Sequence, residues 1–370
     1  MNNKLTVKRF FGKAGYQSLR GDWQALADSI SLQSFYQHPA WFQAYFDRPS
    51  GFSDEIEFRC VYKDERLLIV LPLTHRPRLR GLISEATLPT SNGLYMPDIA
   101  VVDDVDKKLL WDIMQNPSKS DDARKLDLIS AKGVLESSAI ARLMHNTTDN
   151  RSVTMSGERC AFVDIIEYDD AYKALKKNFR GNLNKARNRL NAQDSSEFLL
   201  FTKGDDIDSA YDEFVELEMS GWKGQKDNRK RNDAAPAAIA LTESKFLFYK
   251  NVVREFAKFE AVEICLLKVE EKTIGAQILI LLNETSYMLK TAFDEAAKYY
   301  SPGHMLTDFS YRRYSSAGRI KSLCFITDYD WHKYWNPRYV NYVNIEAYNT
   351  SLSGRIGKGA LKLQKLMKGI

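Results

Sequence analysis

"IGAQILILLNETSYMLKTAFDEAAKYYSPGHML", residues 274–306, decides the fold of this chain. Two apolar runs of strand length flank the polar turn Asn283–Glu284–Thr285. With "AVEICLLKV" (261–269) and its short charged turn ahead of them, they read as three successive strands in a meander. Directly after the third strand stands Ser301-Pro302-Gly303, followed by an amphipathic run. Ser301 is a good N-cap, and Pro302 suits the first helical position, where its missing N–H costs nothing. Gly303 has no side chain to keep a ligand from the first turn. The backbone N–H groups of Gly303, His304 and Met305 would then point out of a helix start whose dipole favours negative charge, a ready site for a phosphate or pyrophosphate. Ordinary capping chemistry is the other reading of the same three residues.

Outward from this stretch, "FLLFTKG" (198–204) reads as a strand, while "DSAYDEFVELEMSGW" (208–222) and "SKFLFYKNVVREFAKF" (244–259) read as helices. Between those helices lies "KGQKDNRKRNDAAP" (223–236), with the composition of a loop. "RIKSLCFI" (319–326) is a further strand, and "DYDWHKYWNP" (328–337) an aromatic, polar loop. In the first half, "DWQALADSIS" (22–31) reads as a helix, and His38-Pro39 marks a turn before another. "EFRCVYK" (57–63) and "RLLIVLPLTHR" (66–76) form a hairpin, with "GLYMPDIAVV" (93–102) and "KLDLISA" (125–131) extending its sheet. "VYKDERLLIVLPL" (61–73) and "LKVEEKTIGAQIL" (267–279) share the order strand, charged turn, strand at comparable places in the two halves. The expectation is an α/β (α+β) chain of two tandem units, 1–155 and 156–345, each a mixed, mainly antiparallel sheet flanked by helices. The polar, aperiodic "NRSVTMSGER" (150–159) is the expected junction, and 346–370 a basic tail.

A hydrophobic content of 44% over 370 residues suffices for two ordinary cores and argues against disorder. The four cysteines, Cys60, Cys160, Cys265 and Cys324, lie far apart with no CxxC pair, which points to buried thiols in a reducing compartment rather than to disulfides or zinc. His38, His75, His145 and His304 have no metal or triad spacing, so their side chains read as structural and no metal is expected. No apolar run reaches membrane-spanning length and the N-terminus lacks a secretory core, so a cytoplasmic protein is expected.

The last twenty residues carry Arg355, Lys358, Lys362, Lys365 and Lys368 without an acid, which equals the whole net charge of +5. The remainder is balanced, unlike a protein that coats nucleic acid. Ile356, Ala360, Leu363, Met367 and Ile370 recur at helical steps in that tail, so it either docks on its own body or touches an anionic membrane at the inner face. A second basic run, "YKALKKNFRGNLNKARNRLNAQ" (172–193), keeps Leu175, Phe179, Leu183, Ala186 and Leu190 at helical spacing. Its cations would project from the other face, as a solvated surface or as a grip on phosphates, an anionic glycan or RNA.

The stretch "KYYSPG" (298–303) resembles the pyrophosphate loop of the GNAT acyltransferase superfamily, with Lys298 in the first place, Ser301 where the first glycine stands, and Gly303 in the last. In their order, "FYQHPAWFQAYF" (35–46), "VLPL" (70–73), "LKKNFRGNLNKARNRL" (175–190), "GWKGQ" (221–225), the opening stretch and "DYDWHKYW" (328–335) resemble CelD/BcsL-type acetyltransferases. These are relatives of the FemAB-like transferases, with two fused GNAT folds. The resemblance implies an acyl-CoA cleft, acetyl-CoA as the expected donor, in the second unit. Its lining strand is "YMLKTAF" (287–293), and its cofactor contacts are Lys290, Lys298, Ser301, Gly303, His304, Met305 and Leu306. Asp294 is the implied base if burial raises its pKa, and Tyr329 or Tyr334 the acid for the leaving thiolate. Trp222 and Lys223 would line the acceptor pocket, Lys177 and Arg180 would meet an anionic acceptor or cofactor phosphate, and Asp328 and His332 would complete the polar cluster. The implied reaction is N-acylation of an amine, such as an amino sugar, in envelope polysaccharide or natural-product synthesis. Two alternatives stay open: a FemAB-like transferase using aminoacyl-tRNA, and a non-catalytic accessory protein associated with glycan or membrane.

Overall fold

The computed structural model describes residues 5–47, 56–90, 96–103, 106–115, 126–147, 151–204, 206–224 and 238–367. The chain divides into two units, one made of 1–42, 50–159 and 340–370, the other of 43–49 and 160–339.

In the first unit, β1 (Leu5–Phe11), β2 (Ile56–Lys63), β3 (Arg66–Arg78) and β4 (Ile83–Thr87) pair antiparallel in sequence. The short β5 (Ala100–Val101) lies against β3. β6 (Leu128–Leu135) is parallel to β4 and antiparallel to β13 (Arg338–Tyr348), a strand from the far end of the chain. The helices here are α1 (Gly12–Ser29), α2 (Pro39–Phe46), whose last residues belong to the other unit, α3 (Lys107–Gln115), α4 (Ala139–Thr147) and α10 (Leu352–Met367). Trp23 of α1 and Phe42 of α2 meet Phe58 of β2 at ring-centroid distances of 5.5 and 5.3 Å, an aromatic centre for this core.

The second unit repeats the pattern. β8 (Ser196–Phe201), β9 (Val262–Val269), β10 (Lys272–Leu282) and β11 (Thr285–Phe293) pair antiparallel, β12 (Ser322–Cys324) runs parallel to β11, and β7 (Arg151–Asp164) closes antiparallel on β12 through Phe162–Asp164. Its helices are α5 (Tyr168–Ala174), α6 (Lys177–Asn191), α7 (Asp206–Ser220), α8 (Glu243–Ala257) and α9 (Pro302–Ala317). On β9, Cys265, Leu267 and Val269 share a buried cluster with Phe179, Leu183, Ala186 and Leu190 of α6 and Met305 and Leu306 of α9. The period of two along the strand turns the alternate residues Ile264 and Leu266 to the opposite face. The helical spacing read along 175–190 is thus the face that α6 buries.

Several elements depart from the sequence reading, which leaves β4 unassigned. "GLYMPDIAVV" contributes only the two-residue β5 within its described part, because Met96 takes a positive φ of 76° that breaks an extended run. β1 and β13 are not legible in the sequence, because Lys8 and Arg9 in the one and Asn341, Asn344 and Glu346 in the other interrupt the apolar pattern. The polar "NRSVTMSGER" is strand from Arg151 onward, exposed along most of its length, so polarity there marks an open strand face rather than a linker. The division falls at 159/160 and 339/340 because β13 completes the first unit from the far end of the chain.

The tail forms α10, seated by a different face from the one its periodicity suggests. Gly354, Gly357 and Leu361 are buried, and Leu361 joins Ile83, Leu128 and Tyr348 in a small cluster. Ile356 stays 62% exposed. The side chains of Leu363, Met367 and Ile370 lie outside the described residues. Among the described residues, no helix is long and apolar enough to cross a membrane.

Candidate active site

The second meander is not closed along its whole length. β11 pairs with β10 from Thr285 to Phe293, but with β12 only from Thr285 to Tyr287. The β10–β11 register slips at Leu289, which has no partner between the pairs Leu279–Met288 and Ile278–Lys290. An extra residue in one strand bends it and increases its twist. From the bulge on, β11 therefore departs from β12 and leaves a V-shaped opening. A cleft of about 410 Å³ lies at this free end, lined by Thr291, Ala292 and Phe293 of β11, the last turn of α7 at Leu217 and Glu218, Lys223, and Tyr329 and Trp331 from the loop after β12.

The start of α9 is set beside the same strand end. Gly275 pairs in register with Phe293, and a β-carbon at Gly275 would come within 2.8 Å of Pro302 Cβ and 3.0 Å of Leu306 Cδ1. Only glycine lets the helix start sit so close to β10. Pro302 is the first helical residue, as expected, and Ser301 is the N-cap residue, but in the left-handed region (φ 51°, ψ 51°) with no side-chain capping bond. The first intrahelical bond runs from Met305 N–H to Ser301 O at 3.0 Å, so the N–H groups of Gly303 and His304 lie ahead of the helical ladder. A β-carbon on Gly303 would meet nothing within 4 Å, so the approach to these donors is open. Lys298 is exposed just before them. Arg189 of α6 donates to Tyr299 O at 2.7 Å and lies 3.7 Å from the centre of the Tyr299 ring, which fixes a second cation at this loop. Arg189 lies in the basic run, but its role here depends on a contact 110 residues away, which spacing cannot show.

Several expected residues take other roles. Met305 spends its N–H on Ser301, and its side chain and that of Leu306 are buried in the core. The His304 ring packs among Phe179, Trp331, Tyr334 and Trp335, with Nδ1 accepting from Trp335 Nε1 at 3.3 Å. Burial lowers its pKa to about 4, so the ring is neutral and serves as packing. Lys290 does not line the cleft: its Nζ lies 4.7 Å from the Tyr249 ring of α8, and burial lowers its pKa. Asp294 is held by Lys272 at 2.6 Å and accepts from Ala296 N–H at 2.8 Å, capping the 3-10 turn 295–300. The bond to Lys272 holds its pKa below the ordinary carboxylate value, the opposite of what a neutral-pH base requires.

Around the cleft, Tyr329 is half-exposed at its wall. Tyr334 instead stacks on Phe179 at 5.1 Å. His332 is buried against Phe325, with centroids 4.3 Å apart, and burial lowers its pKa to about 4. Asp328 is half-buried beside Tyr329. Lys177 is exposed in the first turn of α6, and Arg180 donates to Lys173 O at 2.5 Å, so that guanidinium ties α6 to the last turn of α5. The side chain of Trp222 lies outside the described residues.

Lys223 does line the cleft, and with it comes a carboxylate that the sequence reading missed. Lys223 Nζ donates to Glu218 Oε1 at 3.2 Å and to Thr291 O at 2.8 Å, tying the end of α7 to the free end of β11. The other oxygen of Glu218 accepts from Ile239 N–H at 2.7 Å. Burial pulls the Lys223 pKa below that of a free lysine despite the nearby Glu218 charge. A buried carboxylate and a buried amine of lowered pKa thus lie at the wall of a partly apolar cleft, where proton transfer is feasible. Glu218 sits in the last turn of α7 within an acidic run, indistinguishable in sequence from exposed Glu216.

Comparison with known proteins agrees with this geometry. Residues 177–334 match the family model described as an acetyltransferase (GNAT) domain. No curated protein matches the sequence. Among solved structures, FemX is 11% identical, with 89% of this chain and 96% of that chain covered at a TM-score of 0.59. The C-terminal domain (DUF2156) of a putative lysylphosphatidylglycerol synthetase from Agrobacterium fabrum is 10% identical, with 94% and 97% covered at 0.52. A conserved protein from Bacteroides thetaiotaomicron is 14% identical, with 90% and 97% covered at 0.51. At such identities the likeness is one of fold. Residues 177–334, with their meander, bulged third strand and following helix, thus match the model of an acetyltransferase (GNAT) domain, and the solved structures share their fold.

Proposed function

We propose that the chain is an acyl-CoA-dependent N-acyltransferase, with an acetyl donor and an amine acceptor of the amino-sugar class, as the CelD/BcsL-type resemblance implies. One observation supports this reading above others: the splayed end of β11 and the open start of α9 meet at Gly275, so a cleft for an extended thioester arm leads to a site for its pyrophosphate. The acceptor amine attacks the thioester carbonyl, the C–S bond breaks, and the amine's proton leaves as the thiolate takes one up. Tyr329, at the cleft wall, is the phenol able to protonate the thiolate, and the Glu218–Lys223 pair is the ionisable group able to take the amine's proton.

Calorimetric titration of acetyl-CoA and free CoA, with Gly303→Glu in parallel, tests the donor. Open space at Gly303 means that the variant keeps its fold and places a carboxylate at the helix start. Saturable binding by the wild type, lost in the variant, supports the reading; no binding by the folded wild type overturns it. The aminoacyl-tRNA alternative draws support from the exposed Lys177 and Lys185 of α6 and from Lys176 at its N-cap. It requires tRNA binding that falls steeply with salt.

A further inference from the structure

Three aliphatic side chains stand further into solvent than any other large apolar residue described: Leu82 (80% exposed), Leu352 (74%) and Ile356 (62%). All three belong to the first unit, on two elements that pack against each other. Leu82 follows the 3-10 turn Leu79–Gly81 between β3 and β4. Leu352 and Ile356 lie in the first turns of α10. Gly357, next to Ile356, packs on Ile83, next to Leu82, so closely that a β-carbon on the glycine would stand 2.8 Å from Ile83 Cδ1. Leu361 and Leu79 join the same small cluster. The turn is held in an unusual conformation, with positive φ at Leu79 (48°), Arg80 (56°) and Gly81 (93°). Two non-glycine residues in a row in the left-handed region are costly, and here that backbone directs Leu82 outward.

The charge around these side chains has one sign. Arg76, Arg80, Arg355 and Lys362 are exposed, and none has an acidic partner among the described residues. The nearby acids are committed: Glu85 accepts from Arg78 and Ser130, Asp127 from Ser84 N–H, and Glu346 from Tyr348. Isolated aliphatic side chains ringed by unpaired cations suit an interface where apolar groups enter acyl chains and cations meet lipid phosphates.

We propose that the β3–β4 turn and the N-terminal half of α10 together form a docking surface for an anionic lipid bilayer. The tail does not reach out as a tether: it is seated on the first unit and offers one apolar edge beside that of the hairpin. This surface is independent of the acyl-transfer reading and of the cleft.

The test is flotation of the full-length protein with phosphatidylcholine vesicles, with and without phosphatidylglycerol. The wild type should bind only the anionic vesicles, less as salt rises. Leu82→Ser/Leu352→Ser/Ile356→Ser, which touches no buried group, should weaken binding roughly tenfold or more, and Arg76→Gln/Arg80→Gln/Arg355→Gln similarly. Circular dichroism and urea unfolding confirm that each variant is folded. No binding by the wild type at low salt overturns the proposal, as does binding that the serine variant leaves unchanged. Sedimentation velocity that shows a dimer broken by the serine variant also overturns it, because the surface then fits a second copy of the chain.

Discussion

Gly275 and Pro302 approach so closely that a β-carbon on the glycine would lie 2.8 Å from the proline's, and this contact sets the start of α9 beside the free end of β11. Gly275→Ala therefore has to push the helix start off β10. Overpacking of this kind costs about 1–3 kcal/mol. Urea unfolding should show that loss, and calorimetry should show weaker CoA binding than the stability change alone explains, because the displaced N–H groups no longer face the cleft. Unchanged affinity would mean that the pyrophosphate binds elsewhere.

Asp294 offers a sharper separation of structure from catalysis. Its carboxylate is occupied by Lys272 and by the Ala296 N–H, and its pKa is lowered in the folded state. A carboxyl whose folded pKa is depressed stabilises fully above the unfolded value of about 3.9 and loses that stabilisation as pH falls through the folded value. Asp294→Asn should then reduce stability at neutral pH and leave the wild type's advantage to vanish in acid. The pH profile of acyl transfer should keep its shape. Loss of the acid-side limb, the rise in rate as a general base deprotonates, would restore Asp294 as the base.

Tyr329 and Tyr334 stand five residues apart in one aromatic run, and the fold separates them. Tyr329 lines the cleft, while Tyr334 stacks on Phe179. Tyr329→Phe should lower the acyl-transfer rate by about 10²-fold or more, the usual scale for a lost general acid, with CoA affinity preserved. Tyr334→Phe keeps the stack and should leave the rate nearly unchanged. Equal effects would mean that neither phenol protonates the thiolate.

Legibility followed the range of the interactions. The meander, α6, α7, α8 and the helix start at Pro302 rest on local pattern and capping, and they were readable from residues 172–309 alone. β13 was not, because it completes a sheet whose other strands lie some 200 residues earlier, as in the pair Tyr342–Leu135. The same limit applied to the site. Gly303 could be named from its neighbours, and Lys223 from the resemblance of "GWKGQ". Glu218 and Arg189 acquire their roles from Lys223 and Tyr299 only once the chain has folded. Asp294 was misread because its position at a strand end is legible but its partner, Lys272, is across the hairpin.

Lys290 is a buried amine that the proposed chemistry does not use. No hydrogen bond to its Nζ is found among the described residues, it faces the Tyr249 ring, and burial lowers its pKa. For a lysine whose folded pKa is below the unfolded value of about 10.4, the unfolded state binds more protons between the two, so stability rises with pH across that window. Lys290→Met removes the desolvated charge and keeps the volume. It should raise stability at pH 7 by roughly 1 kcal/mol or more and flatten the alkaline rise. Destabilisation instead would mean that the ammonium has a partner worth more than its burial costs.

His304 and His332 make acid the condition that unseats the aromatic wall of the site. Both rings are buried and neutral, with pKa values lowered to about 4 from an ordinary 6.5. The unfolded chain binds protons at these positions below about pH 6.5, while the folded chain resists them until about pH 4. Stability therefore falls as pH drops through that window and levels off below it, by on the order of 3 kcal/mol for each ring. His304→Gln keeps an acceptor for Trp335 Nε1 but has no proton to gain, so it should lose part of the slope measured by urea unfolding between pH 7 and pH 4. CoA binding should weaken in the wild type over the same window, because a charged His304 is driven from its pocket and carries the first turn of α9 with it. A slope identical in the variant would place the acid sensitivity elsewhere, with the third buried histidine, His38, the next to test.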